Sequence, residues 1–147
     1  MKLVDANVLV YAVNEADERH AAARGWLDAA LNGSEPVGFA WVVVLAFVRL
    51  TTKVGLFPTP LAVADALSVV RAWLEQPPSV VVDSTTRHLD VLSGLLMTVG
   101  AGGNLVNDAD LAALGVEHGA EIVTYDSDFG RFLGVRWTTP HPPEERP

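Results

Sequence analysis

Apolar residues in this chain come in short runs that alternate with longer stretches of roughly helical period. KLV at residues 2–4 makes a brief apolar strand ahead of Asp5, and NVLVYAVN (7–14) follows with helical character. The spacing predicts a second helix within residues 17–33. There Ala21, Ala22, Trp26, Leu27, Ala30 and Leu31 approximate a helical period, and Gly33 supplies a stop. VGFA (37–40) reads as a second strand. Residues 41–55 fit helix or strand by periodicity; their length and the terminator at Gly55 favour helix over their β-branched content. LFPTP is a loop, in which Thr59 followed by Pro60 has the chemistry of an N-cap and first turn for a helix over 61–76. VVV (80–82) is a third strand, residues 84–100 a helix, and residues 102–121 a loop and a helix closed by Gly119. Residues 122–124 form another strand, and VRWTT (135–139) an edge strand.

Strands alternating with helices imply βαβ units. The fold class expected is α/β, a three-layer α/β/α sandwich with a mainly parallel central sheet. Residues 1–139 make one domain, and the Pro-rich, charged segment 140–147 a flexible tail. In open sheets of this kind, ligands bind beyond the carboxyl ends of the strands, where strand order reverses. Asp5 ends the first strand, and Asp126 lies just past a later one.

The 147 residues suit one domain, and the 50% apolar content supports a core. Without cysteine there are no disulfides, zinc–thiolate sites or cysteine nucleophiles, and the chain suits a reducing cytoplasm. Asp5 interrupts any signal-peptide core, and the strongly apolar run at 36–48 is well short of the ~20 residues of a membrane span. A net charge of −8 argues against binding nucleic acid by bulk electrostatics. It does not exclude an enzyme that meets nucleic acid through bound metal.

The acids carry the candidate chemistry. They cluster in VDAN (Asp5), NDAD (Asp108, with Asp110) and TYDSD (Asp126, Asp128). Asp108 lies one turn before Leu111 and Ala112, so it shares their inward face, whereas Asp110 faces away and reads as a surface residue. A carboxylate aimed inward is costly without a partner, and no Lys or Arg occurs between Arg87 and Arg131. Convergent acids without cations repel one another, and a hard divalent ion such as Mg²⁺ or Mn²⁺ relieves that repulsion. Each acid alone also has an ordinary reading. Asp5 can cap the following helix, Asp108 can start its helix in competition with Asn104 or Asn107, and Asp126 can make an Asx-turn. Other chemistries fare worse. VGAGGN follows a helix rather than a strand, so it is no phosphate loop. His20, His88, His118 and His141 are scattered, Ser84 and Ser93 lack a nucleophile-elbow context, and the only lysines, Lys2 and Lys53, are misplaced for a phospho-receiver domain.

VDANVLVYA, GNLVNDADLAAL, EHGAEIVTYDSDFGRF and VRWTTP resemble, in order and nearly end to end, the PIN-domain toxins of VapBC toxin–antitoxin systems. The resemblance implies an α/β/α sandwich, a homodimer, and an Mg²⁺- or Mn²⁺-dependent endoribonuclease that cuts RNA and is inhibited by a small VapB-like antitoxin. It implies Asp5, Asp108 and Asp126 as catalytic metal-holding acids, Asp128 as an accessory acid and Asn7 as an orienting residue. Thr124 is a further orienting candidate, and Arg49 and Arg131 are candidates for contact with RNA phosphates. One departure stands out. Such toxins carry a Glu in the third helix, three residues before an Arg, where this chain has Ala46 before Arg49. That substitution raises a second reading, a catalytically degenerate fold that binds RNA or a protein without cleaving.

Overall fold

The structure is a computed structural model that describes residues 1–141. Its elements are β1 (Lys2–Val4), α1 (Ala6–Val13), α2 (His20–Leu31), β2 (Val37–Ala40), α3 (Trp41–Thr52), α4 (Val63–Leu74), β3 (Ser79–Val82), α5 (His88–Val99), α6 (Leu105–His118), β4 (Glu121–Val123), a 3₁₀ turn (Ser127–Arg131) and β5 (Trp137–Thr138). Five strands form one sheet in the order β3-β2-β1-β4-β5, and every pairing is parallel. Buried on both faces, its central strands are nearly all apolar: Leu3, Val4, Phe39, Ile122 and Val123 are almost wholly enclosed.

The crossovers β1→β2 and β2→β3 step one way across the sheet, and β3→β4 steps back past β1. Right-handed crossovers therefore put α1–α4 on one face and α5–α6 on the other. The packing agrees: α1 lies against α2 and α3, α3 against α4, and α5 against α6. The result is the expected three-layer sandwich. Strand order reverses between β1 and β4, whose register pairs Leu3 with Ile122 and Val4 with Val123. The residues that leave those two strands, Asp5 and Thr124, therefore emerge side by side.

Three local expectations need correction. In α2 the fully buried positions are Ala23, Leu27 and Leu31, while Ala21 is exposed and Ala22 and Trp26 are partly buried. Three consecutive alanines fit any helical phase, so the run could not fix the rotation. Helix α3 stops at Thr52, ahead of Gly55, because the chain turns back at once: Leu61 N donates to Thr51 O at 2.9 Å, and Thr51 is fully buried. That return holds residues 59–62 in the connection, so Thr59 and Pro60 do not start α4. Ala62 is the N-cap residue, with φ −63°, ψ 147° and no side-chain cap. Of the expected tail, Pro140 is buried, and residues 142–147 lie outside the described residues.

Gly38 sits where β2 is pressed by its neighbours. A Cβ there would come within 2.8 Å of Val82 Cγ2 and 3.0 Å of Leu3 Cδ1. Gly38→Ala should therefore destabilise the fold by about 1–3 kcal/mol, the usual cost of overpacking a core. Gly94→Ala, in α5 with nothing within 4 Å of the added carbon, should be neutral or stabilising. Urea denaturation of both variants reads the difference, and equal midpoints would contradict the close strand packing.

Candidate active site

Asp5 serves as the N-cap of α1, with φ −89° and ψ 157°. Its Oδ1 accepts from Ala6 N at 2.7 Å, and its Oδ2 accepts from Thr124 Oγ1 at 2.7 Å and from Asn7 Nδ2 at 3.2 Å. The capping reading and the site reading are thus compatible in one side chain. Thr124, fully buried, also accepts from Asn7 Nδ2 at 3.1 Å and from Asp126 N at 2.9 Å. Asn7 Oδ1 accepts from Tyr125 N at 3.0 Å. One polar net, in which Asn7 and Thr124 both grip Asp5, ties the ends of β1 and β4 together.

Beyond that net, Asp126 makes the turn that its sequence suggested. Its Oδ1 accepts from Asp128 N at 2.9 Å and opens the 3₁₀ turn that buries Phe129 against Phe132. Asp108 enters from the first turn of α6 and is half-buried. Burial, the charges of Asp126, Asp5 and Asp128, and a hydrogen bond with Asp126 push its carboxyl up to about 7 from the ordinary 3.8. Burial also raises the Asp5 carboxyl. The bonds from Thr124 and Ala6 oppose that rise, and the charge of Asp126 adds to it. Asp108 therefore feels the charges of Asp126, Asp5 and Asp128, and Asp5 feels that of Asp126.

A cavity of about 360 Å³ opens beside them. Asp5 and Asp108 line it with Val42, Leu45, Ala46, Leu111, Arg49, Asn104 and Asn107. Ala46 lines the same cavity as Asp5 and Asp108. Among the described residues, Arg49 is the only cationic one in the lining. Asp126 and Asp128 are not part of the lining among the described residues; both act on Asp108 by charge, and Asp126 also by a hydrogen bond. Arg131 is exposed on the 3₁₀ turn, outside the lining.

The donors gathered here are hard oxygens. Among the described residues, no three His, Cys, Asp or Glu side chains stand close enough to cage an ion unaided. A cation such as Mg²⁺ keeps several waters and takes one or two carboxylates, so the pair Asp5 and Asp108 fits it.

Two features escaped the sequence reading. Asn104 and Asn107 were weighed only as helix starters, yet both line the cavity. Asp110, expected at the surface, points away from the acids but is held by α5: His88 Nε2 lies 2.7 Å from its Oδ1, and His88 Nδ1 lies 2.6 Å from Glu117 Oε2. With both ring nitrogens against carboxylates, His88 donates from each. Burial alone would lower its pKa, but the bonds to Glu117 and Asp110 prevail and raise it. The legible signal was the seven-residue spacing of Asp110 and Glu117, two turns along one helix face.

Fold and site define a class, and comparison with known proteins makes it specific. The PIN domain profile matches residues 2–133. Ribonuclease VapC37 of Mycobacterium tuberculosis is 61% identical over 140 residues, covering 95% of this chain and 97% of its own. Ribonuclease VapC33 of the same species is 38% identical, covering 95% and 98%. Among solved structures, M. tuberculosis VapC20, described as a sarcin-ricin loop cleaving toxin, superposes with a TM-score of 0.68 at 19% identity, covering 92% of this chain and 99% of that one. The VapBC2 structure from Rickettsia felis, bound to a promoter DNA fragment, gives a TM-score of 0.69 at 16% identity, covering 95% and 98%. The chain belongs to the PIN-domain family and, within it, to the VapC ribonucleases.

The raised Asp108 carboxyl has a stability consequence without metal. Its folded pKa of about 7 exceeds the ordinary 3.8, so its contribution is fully present below pH 3.8 and is lost as pH rises through 7. In EDTA, the melting temperature of Asp108→Asn relative to wild type should climb across that window and then level off. A variant less stable than wild type at pH 8 would mark Asp108 as a structural helix starter.

Proposed function

We propose that this chain, an endoribonuclease toxin of the VapC type, hydrolyses RNA phosphodiester bonds with Mg²⁺ or Mn²⁺ held by Asp5 and Asp108 and assisted by Asp126, with Asp128 accessory. The observation that carries the reading is uncompensated charge. Asp108 is raised to about 7 among acids, in a cavity whose lining offers one cation, Arg49. A bound divalent ion would supply an activated water and neutralise charge on the scissile phosphate. The chain's own residues do the rest. Asn7 and Thr124 hold Asp5 in one orientation and leave one lone pair, on Oδ1, for a cation. Arg49 contacts the phosphate, and Arg131 is a more distant contact along the RNA.

Kinship with proteins named ribonucleases over 95% of the chain favours cleavage over binding alone, despite Ala46. The partner is a small VapB-like antitoxin, whose charge must suit an acidic cleft that holds Arg49. The second copy of a homodimer would cover the apolar residues that α5 leaves exposed, among them Leu89 and Met97. Residues 1–139 act as one domain. The location is cytoplasmic, where RNA is met and thiols are superfluous; among the described residues no helix is long and apolar enough to cross a membrane.

Asp126→Asn keeps the Asx-turn, since Asn makes the same backbone bond, but removes a charge. It should lower Mg²⁺-dependent RNA cleavage by orders of magnitude, partly recovered by excess metal. Asp128→Asn should cost less. Near-wild-type cleavage in both would return the pair to turn formation.

Ala46→Glu places a carboxylate on the wall opposite Asp5 and Asp108 and should tighten Mg²⁺ binding, about tenfold if the new contact is worth roughly 1.4 kcal/mol. Calorimetry showing unchanged or weaker affinity would mean that this wall does not face the ion.

A further inference from the structure

We infer that Asn104 and Asn107 form a subsite for an unpaired nucleobase, so that the protein selects the nucleotide beside the bond it cuts. The inference rests on the ribonuclease reading above for its ligand class. Asn is among the residue types best suited to cap a helix. Asn104 occupies the N-cap position of α6 yet adopts helical dihedrals, φ −64° and ψ −20°, and makes no capping bond. Asn104 lines the cavity, and Asn107, three residues on, lines it too; both are exposed.

The chemistry of the two walls differs. Asp5 and Asp108 suit a cation, and Arg49 suits a phosphate. A carboxamide presents a donor and an acceptor side by side. A phosphate, with acceptors only, would leave half of each amide unused. The edge of a base offers a donor next to an acceptor and uses both halves. Leu45, 63% exposed at the rim, gives apolar surface against the flat face of a base. At about 360 Å³ the cavity has room for one nucleotide unit. The ligand inferred is a base splayed from a loop or single strand, the form in which proteins read RNA sequence.

The test measures binding of the four nucleoside 5′-monophosphates to the full chain in Mg²⁺, by NMR titration, with sequencing of the ends produced from random unpaired RNA. Wild type should rank the four bases over about a tenfold range, the discrimination of a good amide–base contact. Asn104→Ala and Asn107→Ala should each narrow the ranking, and the double variant should erase it and the base preference at the cut. Arg49→Ala should weaken all four nucleotides together and keep their order. Equal binding of all four by wild type, or a ranking that survives in the double variant, would overturn the inference. A wild type that ranks nucleotides but cuts no RNA keeps the subsite and removes the ribonuclease reading. One that cuts with a preference the double variant retains does the reverse.

Discussion

The carboxyl end of the sheet depends on one contact, the bond that Thr124 Oγ1 donates to Asp5 Oδ2 across 2.7 Å. Thr124 is wholly buried, so its hydroxyl must find partners, and it finds them at the two strand ends that flank the reversal in strand order. Bonding to an ionised acceptor is stronger than bonding between neutral groups, and a low local dielectric strengthens it further. The bond does two jobs. It opposes part of the rise that burial imposes on the Asp5 carboxyl, and it holds Oδ2 in place while Oδ1 accepts from Ala6 N. Asn7 completes the arrangement by joining Asp5, Thr124 and the backbone of Tyr125, so that α1, β1 and β4 share one polar junction.

Asp108 lacks such support. It comes from α6, across the crevice, and its environment is burial plus three other acids. The contrast between Asp5, held by donors, and Asp108, pressed by like charges, is a division of labour familiar from sites that keep two carboxylates in different states. Here it separates an acid fixed by the scaffold from one that gains most when a positive charge arrives. Local strain of this kind persists only where the surrounding structure is over-determined. The sandwich provides that through the tightly packed face of α6, where Ala109, Ala112 and Ala113 are fully buried.

Much of this was legible in the residues, for identifiable reasons. A parallel sheet follows from apolar runs alternating with helical stretches; that the two strands ending in acids lie side by side at the reversal is given by the strand order β3-β2-β1-β4-β5. Asp5, Asp108 and Asp126 could be gathered because each stands at an element boundary, where backbone geometry limits where a side chain can go. What was lost depends on degenerate or long-range signals. Ala21, Ala22 and Ala23 carry no phase information. The start of α4 is set by Leu61 bonding back to Thr51, a contact between residues ten apart that no capping pattern encodes. The clasp of His88 between Asp110 and Glu117 joins two helices, and its spacing shows on one of them only.

The acidity of the chain bears on how such a site meets a polyanion. A net charge of −8 sets a repulsive field for RNA, and the acids at the crevice deepen it locally. At 0.15 M salt that field decays over about 8 Å, so approach is opposed weakly and contact strongly. Attraction must then come from fixed local donors rather than from the overall field. Arg49 supplies one charge in the cavity wall, and a cation between Asp5 and Asp108 would reverse the sign of the floor. The consequence would be an ordered dependence: a crevice hostile to phosphate while its acids are bare, and receptive with a cation between them. Binding and chemistry would thus be switched by the same occupancy, which is a reason for an acidic protein to act on RNA through so few basic residues.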